Sequence, residues 1–113
     1  MIAERDRRAL SLIGLGAKAR RIAIGVEAAH AALRGGRAEA LVMPTDASDR
    51  AREQLVALAG HKQVPVLVAA NAEQLGAALG RPPVHGVAVL DRQLARGLRA
   101  QLTQQDSKET TAG

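Results

Sequence analysis

Four short apolar segments alternate along the chain with longer segments whose apolar residues recur at helical spacing, and this alternation strongly constrains the fold. The apolar segments occupy residues 22–24, 40–43, 64–68 and 86–90. Gly25 follows the first segment and Pro44 follows the second, and both are residue types that end strands. Several segments are apolar on both faces, which predicts a sheet covered by helices on each side. We therefore predict an α/β fold, a small three-layer α-β-α sandwich with a four-stranded, mostly buried sheet.

The intervening segments predict five helices. They cover residues 5–20, 26–34, from a cap at Asp46 or Ser48 to about His61, 72–79 and 92–102. Residues 103–113 are polar and have little to bury, so we predict a disordered tail there. The chain has 113 residues, which is the length of one domain. We assign that domain to residues 1–102.

The composition excludes several mechanisms. Hydrophobic residues make up 47% of the sequence but aromatic residues 0%, so the chain has no rings on which unpaired bases could stack. It also has no Cys and only three scattered His residues, so we expect no disulfide, no metal site and no cofactor. The first residues are charged and no apolar run approaches the length of a membrane span, which predicts a cytoplasmic protein.

The positive charge is concentrated in the first third of the chain. The net charge is +5, and residues 1–37 hold 8 Lys/Arg and 3 Asp/Glu, whereas residues 38–113 hold 8 of each. A basic region of this kind predicts a surface for an anionic partner such as nucleic acid. The charge alone is equally compatible with an ordinary solvated surface.

A glycine motif at Gly14-Leu15-Gly16 imitates the fingerprint of a dinucleotide-binding turn. The segment before it has the pattern of a helix, whereas the fingerprint requires a buried strand there. We therefore reject nucleotide binding, and expect that Gly14 and Gly16 allow a close approach of the first helix to the sheet.

A second glycine, Gly25, is placed to open the helix predicted at residues 26–34. Such a turn presents unpaired backbone N–H groups and the positive end of the helix dipole to a phosphate. Basic residues precede and follow it in the sequence. The candidate RNA-contacting residues of this region are Lys18, Arg20, Arg21, Gly25, Val26, Glu27, His30, Arg34 and Arg37.

Glu27 and His30 each have an ordinary structural explanation. Glu27 falls in the first helical turn, where the dipole favours a carboxylate, although it could also accept hydrogen bonds from a guanine edge. His30 is spaced to lie half-buried on the helix, and no acid or nucleophile is obviously placed beside it. We find no active site that these residues would form.

Four segments carry a family resemblance: GVEAAHAALRGGRAEALVM at residues 25–43, DAS at 46–48, VPV at 64–66 and LGAALG at 75–80. In these segments the chain resembles the kink-turn-binding ribosomal-protein superfamily, and in particular its bacterial ribosomal-protein-like members. The resemblance covers about residues 8–102. It implies an α-β-α sandwich that binds structured RNA through the loop between the first strand and the second helix, aided by an apolar loop before the last strand.

These two loops correspond to residues 25–31 and 82–86 of this chain. The second loop adds Pro83, Val84, His85 and Gly86 to the candidate RNA-contacting residues. The resemblance implies that Val84 and His85 pack on an extruded base.

The first loop departs from the family pattern, which is Gly-x-Asn-Glu followed three residues later by Lys. Only Gly25 matches, since Glu27 stands at the Asn position, Ala28 at the Glu position and Ala31 at the Lys position. In the family, the Asn, Glu and Lys side chains at these three positions engage the sheared G·A pairs of a kink turn. Each polar base contact contributes about 1–3 kcal/mol, so we expect weak recognition of a standard kink turn.

We predict a non-enzymatic, monomeric protein that binds ribosomal or other structured RNA through the first loop and a basic surface. Ribosomal, transcription or translation proteins are possible further partners. One alternative is a protein-interaction module that kept the fold and lost the specific RNA contacts. Another is the recognition domain of a larger RNA-modifying enzyme.

Overall fold

A computed structural model describes residues 2–112, and the side chains of residues 2–102. The elements in chain order are α1 (Glu4–Lys18), β1 (Ile22–Ile24), α2 (Val26–Arg34), β2 (Ala40–Met43), α3 (Asp49–His61), β3 (Val66–Val68), α4 (Ala72–Ala78), β4 (Val87–Val89) and α5 (Arg92–Ala112). The predicted bounds of β1, α2 and β2 are confirmed to the residue. Ser48 is the N-cap of α3, and its hydroxyl accepts a hydrogen bond from the Ala51 amide at 3.1 Å.

The strands form one sheet in the order β1-β4-β2-β3. β4 is antiparallel to both neighbours, whereas β2 and β3 are parallel. β1, β2 and β3 therefore run in one direction and end at the same end of the sheet, where β4 begins. We call this the loop end, made of residues 25–28, 44–52, 69–75 and 79–86, and the opposite one the basic end, made of residues 18–21, 34–39, 61–65 and 90–95.

Two hydrophobic cores lie on the two faces of the sheet. On one face, α1, α4 and α5 bury side chains that include Ile13, Leu75 and Leu98 against the strands. On the other, α2 and α3 bury Leu33 and Leu55, again against the strands. The predicted three-layer α-β-α sandwich is therefore confirmed, with cores built from aliphatic residues and much Ala.

The glycine motif of the first helix lies inside α1 and serves packing. Gly16 is buried, and a β-carbon placed there would lie 2.5 Å from Leu94 Cδ2 and 3.2 Å from Ile22 Cγ2. Gly16 therefore allows a close approach chiefly to α5 and, at Ile22, to the sheet. Gly14 does not face the sheet, since a β-carbon there would lie 3.5 Å from the Ala78 carbonyl oxygen of α4. The motif does not follow a strand, which agrees with rejecting a dinucleotide site.

Two features differ from the sequence-based expectation. β3 is an edge strand, and Val66 and Val68 are 38% and 44% exposed, because the two helices on that face do not cover all four strands. The helix predicted at 92–102 continues as α5 to Ala112, since no Gly or Pro interrupts residues 103–112. The side chains of that segment lie outside the described residues, and the division into a domain and a tail stays a prediction.

Candidate nucleic-acid interface

The two loops singled out by the sequence meet at the loop end. The Gly25 amide donates a hydrogen bond to the Gly86 carbonyl oxygen at 2.9 Å. Residues 24–26 and 81–85 line a shared groove of about 320 Å³. The sheet topology explains the meeting, because β1 ends beside the residue at which its antiparallel partner β4 begins.

Gly25 has a backbone conformation that excludes other residue types. Its dihedral angles are φ 97° and ψ 162°, in a region that is essentially restricted to glycine. A β-carbon at this position would have no atom within 4 Å, so the surface in front of it is open. Gly25 is itself half-buried, and the open space in front of it lets another chain approach the backbone at the start of the helix.

The N-terminus of α2 has no side-chain cap. The amides of residues 26–28 consequently lack a partner within the helix. Among residues 2–102, the other helices that follow strands are capped by Ser48 for α3, Asn71 for α4 and Asp91 for α5. Among the described helices that follow strands, α2 is therefore the one whose N-terminus has no side-chain cap, so its positive pole can face an external anion.

The connections around the groove are tied to one another. His85 Nδ1 accepts a hydrogen bond from the Ser48 amide at 3.1 Å, which requires the imidazole tautomer that carries its proton on Nε2. Asp46 Oδ1 accepts from the Ala72 amide at 2.8 Å. Asp46 therefore serves the start of α4, and Ser48 is the cap of α3. These bonds hold the connections before α3, α4 and β4 in fixed relative positions.

The outer wall of the groove rests on Gly76. A β-carbon at this buried glycine would overlap the Pro82 carbonyl oxygen and lie 2.8 Å from that of Arg81. The chain therefore passes directly over α4 and carries Arg81 into the groove. Sequence reasoning missed Arg81, although its position beside the Pro82-Pro83 pair of the predicted loop was a usable signal.

Two residues of the second loop differ in exposure in a way that matters for base packing. Val84 is only 5% exposed and belongs to a hydrophobic core, so most of its side chain is unavailable to an extruded base. Pro83 is exposed and His85 is half-buried. The structure thus places these two side chains where a base could contact them.

The outward face of α2 carries the positions at which the sequence departs from the family. Glu27, Ala28 and Ala31 are all exposed, and His30 is half-buried as expected. The Glu27 carboxylate lies 3.9 Å from the Arg50 guanidinium, with both side chains well exposed. Ala28 and Ala31 make the side chains of this face small, and the distant, solvated pair of Glu27 and Arg50 gives it little net charge.

Five predicted basic residues lie away from the groove. They are Lys18, Arg20, Arg21, Arg34 and Arg37, all located at the basic end. The nine residues of α2 lie between Gly25 and Arg37, and they span about 13 Å at 1.5 Å per residue. Sequence proximity to Gly25 therefore did not mean spatial proximity, because β1 and α2 both lead away from it.

Arg21 has a structural partner. Its guanidinium contacts the Asp91 carboxylate at 2.8 Å, and its carbonyl oxygen accepts a hydrogen bond from the Leu90 amide. Asp91 also accepts from the Leu94 amide at 2.9 Å. Arg21 therefore joins the start of β1 to the start of α5.

The two ends of the sheet differ in charge. The loop end holds four Asp/Glu (Glu27, Asp46, Asp49, Glu73) and three Arg (Arg50, Arg52, Arg81). The basic end holds seven Lys/Arg (Lys18, Arg20, Arg21, Arg34, Arg37, Lys62, Arg92) and two Asp/Glu (Glu39, Asp91). The basic surface predicted from the first third is thus completed by residues from the last two thirds.

Within the described part of the chain, no group of three or more His, Cys, Asp or Glu side chains is arranged to hold a metal ion. None of the helices in that part is both long enough and apolar enough to cross a membrane.

Comparisons with known proteins agree with this architecture. A model of the Ribosomal protein L7Ae/L30e/S12e/Gadd45 family matches residues 8–99, whereas a comparison with curated protein sequences finds no significant match. The chain is similar to a protein of unknown function from Bacillus halodurans C, at TM-score 0.76 and 32% identity, covering 82% of this chain and 94% of that one.

A second solved structure shares the fold. It is the Giardia lamblia 15.5kD RNA binding protein, at TM-score 0.74 and 20% identity, covering 95% of this chain and 92% of that one. The family match extends over most of the sandwich, from α1 into α5, and includes both loops of the groove. The chain therefore belongs to the Ribosomal protein L7Ae/L30e/S12e/Gadd45 family.

Proposed function

We propose that this protein binds structured RNA through the groove between residues 24–26 and 81–85. Membership of the family and the shared fold of an RNA binding protein support RNA as the partner. The observation that carries the proposal is the uncapped N-terminus of α2, which opens at Gly25 into this groove. Ribosomal RNA is the first target that we would test.

The groove offers three kinds of contact to RNA. The amides of residues 26–28 and the positive pole of α2 favour a phosphate oxygen. Arg81 adds a guanidinium that can bind a phosphate through two hydrogen bonds. Pro83 and His85 provide surface for an unstacked base. In this arrangement RNA is recognised by its shape and backbone, with few contacts to base edges.

The α2 face limits how well a standard kink turn can be read. Ala28 and Ala31 are exposed but have no polar group to offer a base. Glu27 keeps a carboxylate that can accept hydrogen bonds from a guanine edge, with Arg50 nearby. We therefore expect a modest preference for kinked over straight RNA, since each polar base contact contributes about 1–3 kcal/mol.

Fluorescence anisotropy with three RNAs tests the proposal. They are a kink-turn RNA, a straight duplex of the same length, and the kink-turn RNA with its G·A pairs replaced by Watson–Crick pairs. We expect binding to all three with an affinity that falls with salt, and a measurable preference for the first. Absence of binding to structured RNA at low salt would refute the function.

Replacing Arg81 tests the assignment to this groove. Arg81→Gln should weaken RNA binding. It should also reduce the steepness with which log affinity falls with log salt concentration, which we call the salt slope, by about 0.7–0.9. Arg52→Gln is an unsuitable control, because Arg52 donates to the Ala47 and Thr45 carbonyl oxygens. Arg8→Gln is suitable, since Arg8 is exposed on α1 and its bond to the Glu4 carboxylate, at 3.0 Å, is a solvated pair within one helix that contributes little to stability. Equal effects of Arg81→Gln and Arg8→Gln would reject the groove as the site.

A second candidate function, protein interaction, is favoured by one observation. Val56, Val66 and Val68 are 41%, 38% and 44% exposed and line a shared groove of about 140 Å³ beside edge strand β3. Exposed apolar groups beside an open strand edge suit a protein partner. A partner complex that survives ribonuclease and is lost in Val66→Ser/Val68→Ser would support this alternative.

A further inference from the structure

Three arginines lie on one face of α5, far from the loops that define the family site. Arg92, Arg96 and Arg99 follow one another at spacings of four and three residues, which places them in one row on the helix. Together with Glu39 and Ala95 they line a groove of about 240 Å³. We call this the arginine groove.

The arginine groove is anchored to the sheet at the basic end. The Glu39 amide donates to the Val89 carbonyl oxygen at 2.7 Å, which places the start of β2 beside the end of β4. Asp91 holds the start of α5 through the Leu94 amide. Because both sides of the groove are fixed by these bonds, its arginines project from a rigid base.

Two arginines of the groove, Arg92 and Arg96, are well exposed. Arg92 is 80% exposed and lies 4.0 Å from the Glu39 carboxylate, the longest of the ion pairs found within residues 2–102. Arg96 is exposed as well. Arg37, two residues before Glu39 and also exposed, extends the positive surface towards the end of α2. The exposed guanidinium groups of Arg92 and Arg96 therefore line the groove beside the Glu39 carboxylate.

We propose that the arginine groove is a second RNA-binding surface, which contacts backbone phosphates independently of the groove at the loop end. The inference rests on the proposed function in that it takes RNA as the partner. Guanidinium groups bind phosphate oxygens through paired hydrogen bonds, and a row of them on a rigid helix matches a repeating phosphate backbone.

The composition of the groove favours RNA over an acidic protein. Interface cores between proteins are enriched in aromatic and other large apolar residues. This groove contains Ala95 as its apolar member, and the chain has no aromatic residue at all. Phosphate contacts need charge and geometry without an apolar centre.

The separation of the two grooves has a mechanical consequence. The groove at Gly25 lies at the loop end, whereas the arginine groove starts with Arg92 at the basic end and follows α5, which packs on the opposite face of the sheet from α2. The arginine groove therefore contacts a different segment of RNA from the one at Gly25. The arginine groove therefore increases the affinity for RNA in a salt-dependent way, but it does not distinguish kinked from straight RNA.

The test compares two double variants that remove the same charge. Arg92→Gln/Arg96→Gln removes two guanidinium groups from the arginine groove. Arg7→Gln/Arg8→Gln removes two exposed groups from the start of α1, where they lie 3.9 and 3.0 Å from the Glu4 carboxylate. Affinity for the kink-turn RNA and the straight duplex is measured between 50 and 200 mM salt, and circular dichroism melting checks that each variant folds.

We expect the salt slope to fall by about 1.4–1.8 in Arg92→Gln/Arg96→Gln, which is the loss of two phosphate contacts. The ratio of affinities for the two RNAs should stay unchanged. The charge-preserving variant Arg92→Lys/Arg96→Lys should keep the wild-type slope, because a lysine still neutralises a phosphate.

Three results would overturn the proposal. One is a wild-type slope in Arg92→Gln/Arg96→Gln, and another is an equal loss in Arg7→Gln/Arg8→Gln. The third is a loss of binding to polyglutamate without any change in RNA binding, which would assign the groove to an acidic protein. In each case wild-type protein still binds RNA, so failure of this inference is distinguishable from failure of the proposed function.

Discussion

The loop end and the basic end of the sandwich are built on different principles. At the loop end, hydrogen bonds from Gly25, Ser48 and Ala72 lock the connections together, and opposite charges nearly balance. At the basic end, seven Lys/Arg face two Asp/Glu. One end supplies a defined shape with an open helix N-terminus, and the other supplies charge.

Under the proposed function, recognition of RNA shape and electrostatic attraction to RNA therefore use different surfaces of one small domain. The groove at Gly25 lacks the density of positive charge that would give strong binding by itself. The basic end lacks an uncapped helix N-terminus after a strand. We therefore expect preference among RNAs to depend on the loop end, and the salt dependence of affinity to depend mainly on the basic end.

The largest effect should come from Gly76→Ala at the loop end. The added β-carbon would meet the Pro82 and Arg81 carbonyl oxygens, which are backbone atoms and cannot rotate away. We expect a loss of about 1–3 kcal/mol in the free energy of unfolding, as for other overpacked positions. The preference for kinked RNA should disappear, because residues 81–85 must shift.

Gly60→Ala, at the end of α3 near the basic end, is the matched control in urea unfolding. A β-carbon at Gly60 would have nothing within 4 Å, so alanine should stabilise the helix by about 0.5–1 kcal/mol. A Gly76→Ala variant as stable as Gly60→Ala would contradict the packing described for the groove.

Gly25→Ala should remove the RNA preference that depends on the start of α2. Alanine is strained at φ 97° and ψ 162°, with a cost of about 1–3 kcal/mol. Gly36→Ala is the control at the basic end, where φ is 71° and the surroundings are also open. Both variants should lose stability in thermal melts. Only Gly25→Ala should lose the preference for kinked RNA, and an equal change in Gly36→Ala would disprove the division of roles.

His85 contributes to the rigidity of the loop end through its hydrogen bond with the Ser48 amide. His85→Ala removes the acceptor of the Ser48 amide, which should cost about 0.5–1.5 kcal/mol. His85→Asn keeps an acceptor oxygen near the position of Nδ1 and should recover most of that stability. The two variants are compared by urea unfolding, and an Asn variant as unstable as the Ala variant would mean that the hydrogen bond contributes little.

The smallest effect is expected for Arg21 at the basic end. Its ion pair with Asp91 is partly exposed, at 55% and 25%, so Arg21→Gln should cost no more than about 1 kcal/mol. Because the Arg21 guanidinium is already paired with Asp91, Arg21→Gln should change the salt slope of RNA binding less than Arg37→Gln does. A larger change in Arg21→Gln would show that RNA displaces Asp91.

Much of the fold could be predicted from local signals in the sequence. The apolar runs at residues 22–24 and 40–43 and the glycine at 25 set three element boundaries to the residue. The end of the last helix was missed because the polar composition of residues 103–112 favours a disordered tail, although no Gly or Pro stops a helix there. The exposure of β3 was missed because coverage by helices depends on tertiary packing.

The candidate site was less predictable, since its geometry depends on strand order. The contact between Gly25 and Gly86 requires β4 to be antiparallel to β1, which no local pattern reveals. Lys18 and Arg37 were grouped with Gly25 by sequence distance, whereas the strand and the helix lead them to the other end. Arg92 and Arg96 escaped notice because opposite charges cancel over residues 38–113, although their helical spacing was visible.

Mapping the RNA contacts by amide chemical-shift changes in NMR tests the division of roles most directly. Kink-turn RNA should perturb residues 25–28 and 81–86 together with residues 92–96, whereas a straight duplex should perturb mainly residues 92–96 and 34–39. Residues 66–68 should change little with either RNA. Perturbation of one end alone by both RNAs, or of residues 66–68 before either end, would contradict a protein that reads shape at one end and holds charge at the other.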